Sequence, residues 1–303
     1  MELEGIIGRT PVVRLRSLAK GLAGVWVKLE AANPGGSVKD RAALAMVAGA
    51  EERGLLSPGS GRVIVEATSG NTGIGLAMIA AIRGYRYVNV ATEGLSAERR
   101  AVLLAYGAEL EFVPDEEGLD GARRRARELA QELSGWWADQ FSNPDNPVAH
   151  YRTTGPEAWE QLSGRVDALV LGTGTGGTLS GMARYLKERN PRLRVVALEP
   201  EPCRLLAGGA CGAHPFAGLA PGFVPETLDL DLIDEILPVP VQPALDLGLR
   251  LAREEGLLLG PSSMANVWGA LQVAARLEKG SRVLTLAPDS GLKYLNLPPY
   301  GER

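Results

Sequence analysis

Short apolar runs with strand periodicity alternate with longer runs of helical periodicity along most of the chain. Residues 63–66 precede an apolar helical pattern over 71–83, closed by Gly84. Residues 87–91 precede 96–106 with Gly107 behind it, and 109–113 precede 119–133. Farther on, 168–171 leads into 178–189 and then 194–198; the strand-like 257–259, the helical 266–279 and the strand-like 282–287 close the series. A glycine just past a helical run is the expected stop, because it enters the left-handed region without a Cβ penalty. Regular alternation of this kind predicts an α/β fold, with mainly parallel sheets covered by helices on both faces. The turn cluster Phe-Ser-Asn-Pro-Asp-Asn-Pro at 141–147 is long enough to divide two such units, while 199–230, rich in Gly, Pro and Ala, reads as irregular.

Composition narrows the partners. The chain has 303 residues, 45% apolar and 22% charged, enough for a large core or two linked ones. A net charge of −4 argues against nucleic acid, whose phosphates need a basic face. No apolar run reaches the ~18 residues a membrane span requires. The opening Met-Glu-Leu-Glu lacks the basic start and apolar stretch of a signal peptide. Cys203 and Cys211 are too few for a disulfide framework, so a reduced, cytoplasmic protein is expected. His150 and His214 both read as ordinary polar contacts, which leaves proton transfer to another residue type.

Four loops carry candidate chemistry, and in α/β sheets such loops belong at the carboxyl ends of strands. In Asn33-Pro34-Gly35-Gly36-Ser37-Val38-Lys39-Asp40-Arg41, the Ser37/Asp40 spacing resembles a capping box, with the helix running on to Gly54. Lys39 then sits in a first helical turn, where the dipole disfavours a cation and favours the neutral amine that a nucleophile requires. Among the six lysines (20, 28, 39, 187, 279, 293), Lys28 is the rival, in the strand-like run 25–29. Glu66-Ala67-Thr68-Ser69-Gly70-Asn71-Thr72-Gly73 runs from strand into helix and offers N–H and hydroxyl donors to a carboxylate or phosphate. It is not a Gly-x-Ser-x-Gly nucleophile elbow. Gly172-Thr173-Gly174-Thr175-Gly176-Gly177-Thr178 is a second such junction. It suits a phosphate, although its spacing also matches the Gly-x-Gly-x-x-Gly dinucleotide pattern with Glu199 placed for a ribose. In Gly260-Pro261-Ser262-Ser263, a serine serves either as an N-cap or as partner to a ligand ring.

Together these loops resemble the fold-type II pyridoxal-phosphate family (tryptophan synthase β-like), and within it the cysteine synthases, or O-acetylserine sulfhydrylases. The resemblance spans nearly the whole chain. It includes Ile7-Gly8-Arg9-Thr10-Pro11-Val12-Val13, the four loops, and the stretch 140–157 with its Gln-Phe-Ser-Asn-Pro and Thr-Thr-Gly-Pro-Glu. Ala-Ala-Leu-Ala-Met after Arg41, Ser-Ala-Glu-Arg-Arg at 96–100 and Asp145-Asn146-Pro147 are closer to the B-type branch, isozyme M.

The resemblance implies Lys39 as the Schiff-base lysine of pyridoxal 5'-phosphate and Asn71 as partner of its ring hydroxyl. It implies Gly174, Thr175, Gly176, Gly177 and Thr178 as the phosphate cradle and Ser262 as the contact to the pyridine nitrogen. Thr68, Ser69, Asn71, Thr72 and Gln140 would receive the substrate carboxylate. The implied reaction replaces the acetate of O-acetyl-L-serine with sulfide. Relatives of this kind also use phosphoserine, make cystathionine or dehydrate serine and threonine. The implied architecture is two domains, each a mainly parallel twisted sheet flanked by helices: a smaller mobile one at 38–142 and a larger one from 1–37 with 143–303, in a homodimer. Two departures bear on the nucleophile. Pro288-Asp289-Ser290-Gly291 stands where the branch usually has Cys-Asp-Arg-Gly, and Gly-Ala-His-Pro-Phe at 212–216 replaces an arginine-rich segment. Those features accompany thiosulfate use, so sulfide is the expected nucleophile here.

Overall fold

The computed structural model describes residues 2–301. In chain order the elements are β1 (Val12–Arg14), β2 (Gly24–Leu29), α1 (Lys39–Glu52), β3 (Val63–Ala67), α2 (Asn71–Arg83), β4 (Arg86–Thr92) and α3 (Ala97–Ala105). There follow β5 (Glu109–Val113), α4 (Gly118–Glu132), β6 (Trp136–Trp137), α5 (Asp145–Ala149), α6 (Gly155–Gln161) and β7 (Ala168–Gly172). The chain ends with α7 (Gly177–Arg189), β8 (Arg194–Pro200), β9 (Glu235–Val239), α8 (Val241–Arg250), α9 (Pro261–Arg276) and β10 (Arg282–Ala287). They divide between two compact units, Met1–Ile7 with Lys39–Asn146 and Gly8–Val38 with Pro147–Arg303.

The first unit is a four-stranded parallel sheet in the order β5-β4-β3-β6. Strand periodicity sorts its core onto two faces. Val63, Val65, Ala67, Val88 and Val90 pack under Ala122, Ala126 and Leu129 of α4. Ile64, Tyr87 and Ala91 turn the other way, toward the apolar sides of α1 and α2. Glu66 and Asn89 occupy alternate positions on that second face and stand opposite one another in register. The segment before residue 8 belongs to this unit because Glu4 chelates Arg83 with both carboxylate oxygens, at 2.7 and 2.8 Å.

The second unit holds the six-stranded sheet β1-β2-β10-β7-β8-β9, parallel except at β1. Val170, Val196, Leu198 and Val283 face α8 and α9, and Leu169, Leu171, Ala197 and Leu284 face α6 and α7. Helices on both faces of each sheet are the arrangement the alternating pattern predicts.

Three local expectations are corrected. Residues 257–259 form no strand: Leu259 makes one isolated bridge to Ser290, because the helix that follows starts at once. That helix, α9, begins at Pro261 rather than at 266; a proline loses nothing at the first helical position, where its missing N–H has no intrahelical partner. The cysteines are not free. The Cys203–Cys211 backbone bridge brings their Cα atoms within 3.7 Å, and a disulfide joins them.

Candidate active site

In the first unit the candidate residues collect around two helix starts. Lys39 is the first residue of α1. Its helix packs on α2 so closely that a Cβ on Gly75 would come within 3.2 Å of the Lys39 carbonyl oxygen. Lys39 as a whole is half-buried, yet desolvation of its amine draws the pKa down to about 8. Lys28 is otherwise occupied. Fully buried, its ammonium contacts Glu157 Oε2, the Thr10 carbonyl and Gln161 Oε1, each at 2.9 Å.

The strand-to-helix loop between β3 and α2 sits on a polar foundation. Gly70 is the N-cap of α2 in an extended conformation, and its N–H donates to Thr68 Oγ1 at 3.0 Å. Asn89 Nδ2 donates to the Thr68 carbonyl at 2.9 Å and is itself backed by the Tyr87 hydroxyl, 2.9 Å from its Oδ1. Gly73 is required here, since a Cβ would lie 2.3 Å from Asn89 Oδ1. Thr72 Oγ1 donates to Gln140 Oε1 at 2.6 Å. Gln140 in turn donates through Nε2 to Glu66 Oε1 at 3.1 Å. Ser69 is exposed, with Arg99 Nη1 on its carbonyl at 2.7 Å; Asn71 opens α2 and is half-buried. Thus Thr68, Thr72 and Gln140, distant in sequence, lie in one connected set.

In the second unit, Gly174, Thr175, Gly176, Gly177 and Thr178 form the turn from β7 into the thirteen-residue α7. Close approach dictates two of these glycines. A Cβ on Gly174 would meet the Gly218 carbonyl oxygen at 2.1 Å; Gly176 has φ +83°, and a Cβ there would meet Leu228 Cβ at 2.5 Å. Thr227 Oγ1 donates to the Thr175 carbonyl, and the Ala220 N–H donates to the Thr173 carbonyl at 2.8 Å, so neighbouring segments close over the turn. Thr178 Oγ1 lies 3.2 Å from Nε2 of the buried His150, whose Nδ1 meets Thr154 Oγ1 at 2.8 Å. Ser262 is not an N-cap: Gly260 takes that place and Ser262, 6% exposed, lies in the first turn of α9. Asn266 of α9 accepts from the Gly172 N–H at 2.7 Å, tying α9 to the end of β7.

The glycine-threonine turn fits a phosphate. A helix start presents backbone N–H groups and the positive end of the dipole, two threonine hydroxyls add donors, and no acidic side chain stands among the five. Its neighbour Glu199 is engaged by the Leu206 N–H at 2.9 Å, and burial raises its pKa. Among the described residues no helix is long and apolar enough to cross a membrane.

Sequence reasoning passed over Glu66, Tyr87 and Asn89. Glu66 and Asn89 are polar side chains in otherwise apolar strands, Val-Ile-Val-Glu-Ala and Arg-Tyr-Val-Asn-Val-Ala-Thr. That anomaly was the available signal.

A two-sheet α/β chain with a desolvated lysine opening a helix, a hydroxyl-rich strand-to-helix loop and a glycine-rich phosphate turn has the make-up of an enzyme of aldehyde-cofactor chemistry. The family model described as "Pyridoxal-phosphate dependent enzyme" matches residues 3–289, and the chain belongs to that family. It is 48% identical over 297 residues to a cysteine synthase of Staphylococcus aureus (strain Mu50 / ATCC 700699), covering 97% of this chain and 95% of that one. Among solved structures it resembles an O-ureido-L-serine synthase, with TM-score 0.93, 46% identity, and coverage of 97% and 92%. It also resembles an O-acetylserine dependent cystathionine β-synthase from Helicobacter pylori, with TM-score 0.92, 37% identity, and coverage of 99% and 98%. The dinucleotide reading of the glycine spacing therefore gives way to the pyridoxal-phosphate one.

Proposed function

We propose that the protein exchanges the acetate of O-acetyl-L-serine for sulfide, yielding L-cysteine and acetate, as a step of cysteine biosynthesis. The observation that carries this reading is the Lys39 amine, desolvated at a helix start with its pKa drawn down to about 8. Pyridoxal 5'-phosphate, when bound, would supply an electron sink that acidifies the α-proton of the amino acid. Lys39 Nζ takes that proton as general base and returns it after sulfur has added to the β-carbon. Thr68, Ser69, Asn71, Thr72 and Gln140 would receive the α-carboxylate, and Asn71 would also hold the cofactor through its ring hydroxyl. Gly174, Thr175, Gly176, Gly177 and Thr178 hold the phosphate.

Ser262 is assigned to the ring nitrogen. A serine cannot keep that nitrogen protonated as a carboxylate would, which weakens the sink and suits loss of a good β-leaving group over transamination. Support comes from the named cysteine synthase relative at 48% identity. The same reading assigns the chain to the B-type branch, to a homodimer and to the cytoplasm. Borohydride reduction of the holoenzyme followed by peptide mapping should label Lys39, and Lys39→Ala should lose both the label and cysteine formation. An unlabelled Lys39 in active protein removes the basis of the reading.

A second reading keeps the chemistry and changes the leaving group. Arg99, 2.7 Å from the Ser69 carbonyl, puts a cation beside the loop assigned to substrate and favours an anionic leaving group such as phosphate. A larger kcat/KM for O-phosphoserine than for O-acetylserine would decide for it.

A further inference from the structure

Glu66 is a carboxylic acid in the middle of a strand whose five residues are all buried. It is 1% exposed. Burying such a group without compensation is costly, so what it touches matters. Its Oε1 accepts from two donors of a single residue, the Gln140 side-chain Nε2 at 3.1 Å and the Gln140 main-chain N–H at 3.4 Å. Its Oε2 is buried with no hydrogen-bond partner. Desolvation, reinforced by the negative charge of Asp139, raises its pKa to about 8, so at neutral pH Glu66 is mostly the uncharged acid. The other groups around it fit that state. Tyr87 and Asn89 of β4 share its face of the sheet, and Asp139 is paired with Arg123 of α4 at 3.4 Å.

Gln140 is held at both ends of its main-chain unit as well, since Asn146 Nδ2 donates to its carbonyl at 2.8 Å. Only the orientation of its side-chain amide remains to be set. A carboxamide can sit either way round, and the two orientations offer opposite hydrogen-bonding faces. An acceptor at Glu66 Oε1 holds the nitrogen toward the strand and the oxygen toward Thr72 Oγ1, at 2.6 Å. One Nε2 hydrogen is then left for a further acceptor.

We propose that Glu66 is a positioning residue for recognition of the substrate α-carboxylate: it never touches substrate, but fixes the Gln140 amide, with its oxygen occupied by the Thr72 hydroxyl, so that the second Nε2 hydrogen is presented as the donor an incoming carboxylate requires. This deepens the function proposed above and rests on the assignment of Gln140 and Thr72 to the substrate carboxylate.

Its test uses holoenzyme and does not need turnover. L-Serine, which lacks a good leaving group, is titrated against wild type, Glu66→Gln and Glu66→Leu while the cofactor absorbance is followed. Cofactor content and the thermal midpoint are recorded alongside. Glu66→Gln keeps an uncharged acceptor of the same shape and should bind L-serine within about threefold of wild type. Glu66→Leu removes the acceptor that orients Gln140 and should weaken L-serine roughly 10- to 100-fold, the scale of the one hydrogen bond that Gln140 then fails to give the substrate carboxylate, with cofactor content unchanged. In steady-state assays Glu66→Leu should raise KM for O-acetylserine while leaving KM for sulfide within about twofold.

A Glu66→Leu enzyme that binds L-serine like wild type overturns the assignment. So does a Glu66→Gln enzyme impaired as severely as Glu66→Leu, which would point to a role in packing alone. Wild-type protein that binds L-serine but makes no cysteine would remove the proposed reaction and leave the Glu66 titration to be judged separately.

Discussion

Gly174→Ala concentrates a single, calculable perturbation on the turn assigned to the phosphate. The only atoms a Cβ there would meet within 4 Å belong to Gly218, with the carbonyl oxygen at 2.1 Å. Real Cβ atoms do not approach closer than 3.0 Å, so the two backbones must part by roughly 0.9 Å. The Ala220 N–H to Thr173 carbonyl bond, now 2.8 Å, joins the same two segments and would stretch past useful length. The loss of that bond is worth about 1 kcal/mol, and the overpacking adds about 1–3 kcal/mol. Displacement matters more for binding, since one lost hydrogen bond to a charged phosphate is worth about 1.5–3 kcal/mol, on the order of 100-fold in affinity at the upper end. The expected outcome is folded apoprotein with a lowered thermal midpoint and cofactor affinity down about 100-fold, read by titrating resolved apoprotein with pyridoxal phosphate. Gly21→Ala is the control for destabilisation alone, because nothing lies within 4 Å of its added Cβ and alanine there is opposed only by the positive φ (+84°). Gly174→Ala binding the cofactor within about twofold of wild type would refute the reasoning.

Three further outcomes follow from Lys39 and the disulfide. Burial takes the Lys39 pKa from the ordinary 10.5 to about 8, so its neutral amine should increase about tenfold per pH unit up to pH 8 and then level off. Cofactor uptake by apoprotein should trace that curve, and a rise continuing to pH 10 would contradict it. The sign for stability is the same: between pH 8 and 10.5 the unfolded chain binds more protons at this residue, so the apoprotein should gain stability as pH rises through that window. The Cys203–Cys211 disulfide closes a loop of sequence separation 8 and should contribute about 2–3 kcal/mol. Unreduced, denatured protein should then show no titratable thiol, and a reductant should lower the thermal midpoint; two free thiols per chain in unreduced protein would remove the bond.

How much of this could be read from residues alone depends on the range of the interaction that decides each feature. Helix α2 closed by Gly84, the strand β5 and the strand β10 stand where periodicity and glycine stops put them, because those signals act within a few residues. The two-residue β6 is too short to carry a period, and β9, Glu-Ile-Leu-Pro-Val with four half-buried positions, is an edge strand whose apolar run is broken by a proline. The start of α9 was obscured because Gly-Pro-Ser-Ser suits a turn as well as a helix start; Asn266, by joining the helix to Gly172 and to the Leu286 carbonyl, supplies the tertiary ties local chemistry lacks. The disulfide was hidden for a related reason, since it depends on the backbone bridge that folds 203 onto 211.

The site divides along the same line. The glycine-threonine turn, the Thr-Ser-Gly-Asn loop and Lys39 each announce themselves as compact motifs, so the roles assigned to them come from the residues alone. Glu66 was visible only as an anomaly, an acid in an apolar strand, and an anomaly of that kind reads equally as a packing defect or as a brace. The deciding contact lies 74 residues away at Gln140. Nor does the strand pattern reveal protonation. The neutral state depends on what surrounds the acid in space: a sheet face shared with Tyr87 and Asn89, and the nearby charge of Asp139. Apart from Gln140, the residues assigned to direct contact fall in compact motifs, whereas the link from Glu66 to Gln140 spans 74 residues. A substitution at Glu66 should accordingly alter amino-acid recognition without altering any residue assigned to touch the amino acid.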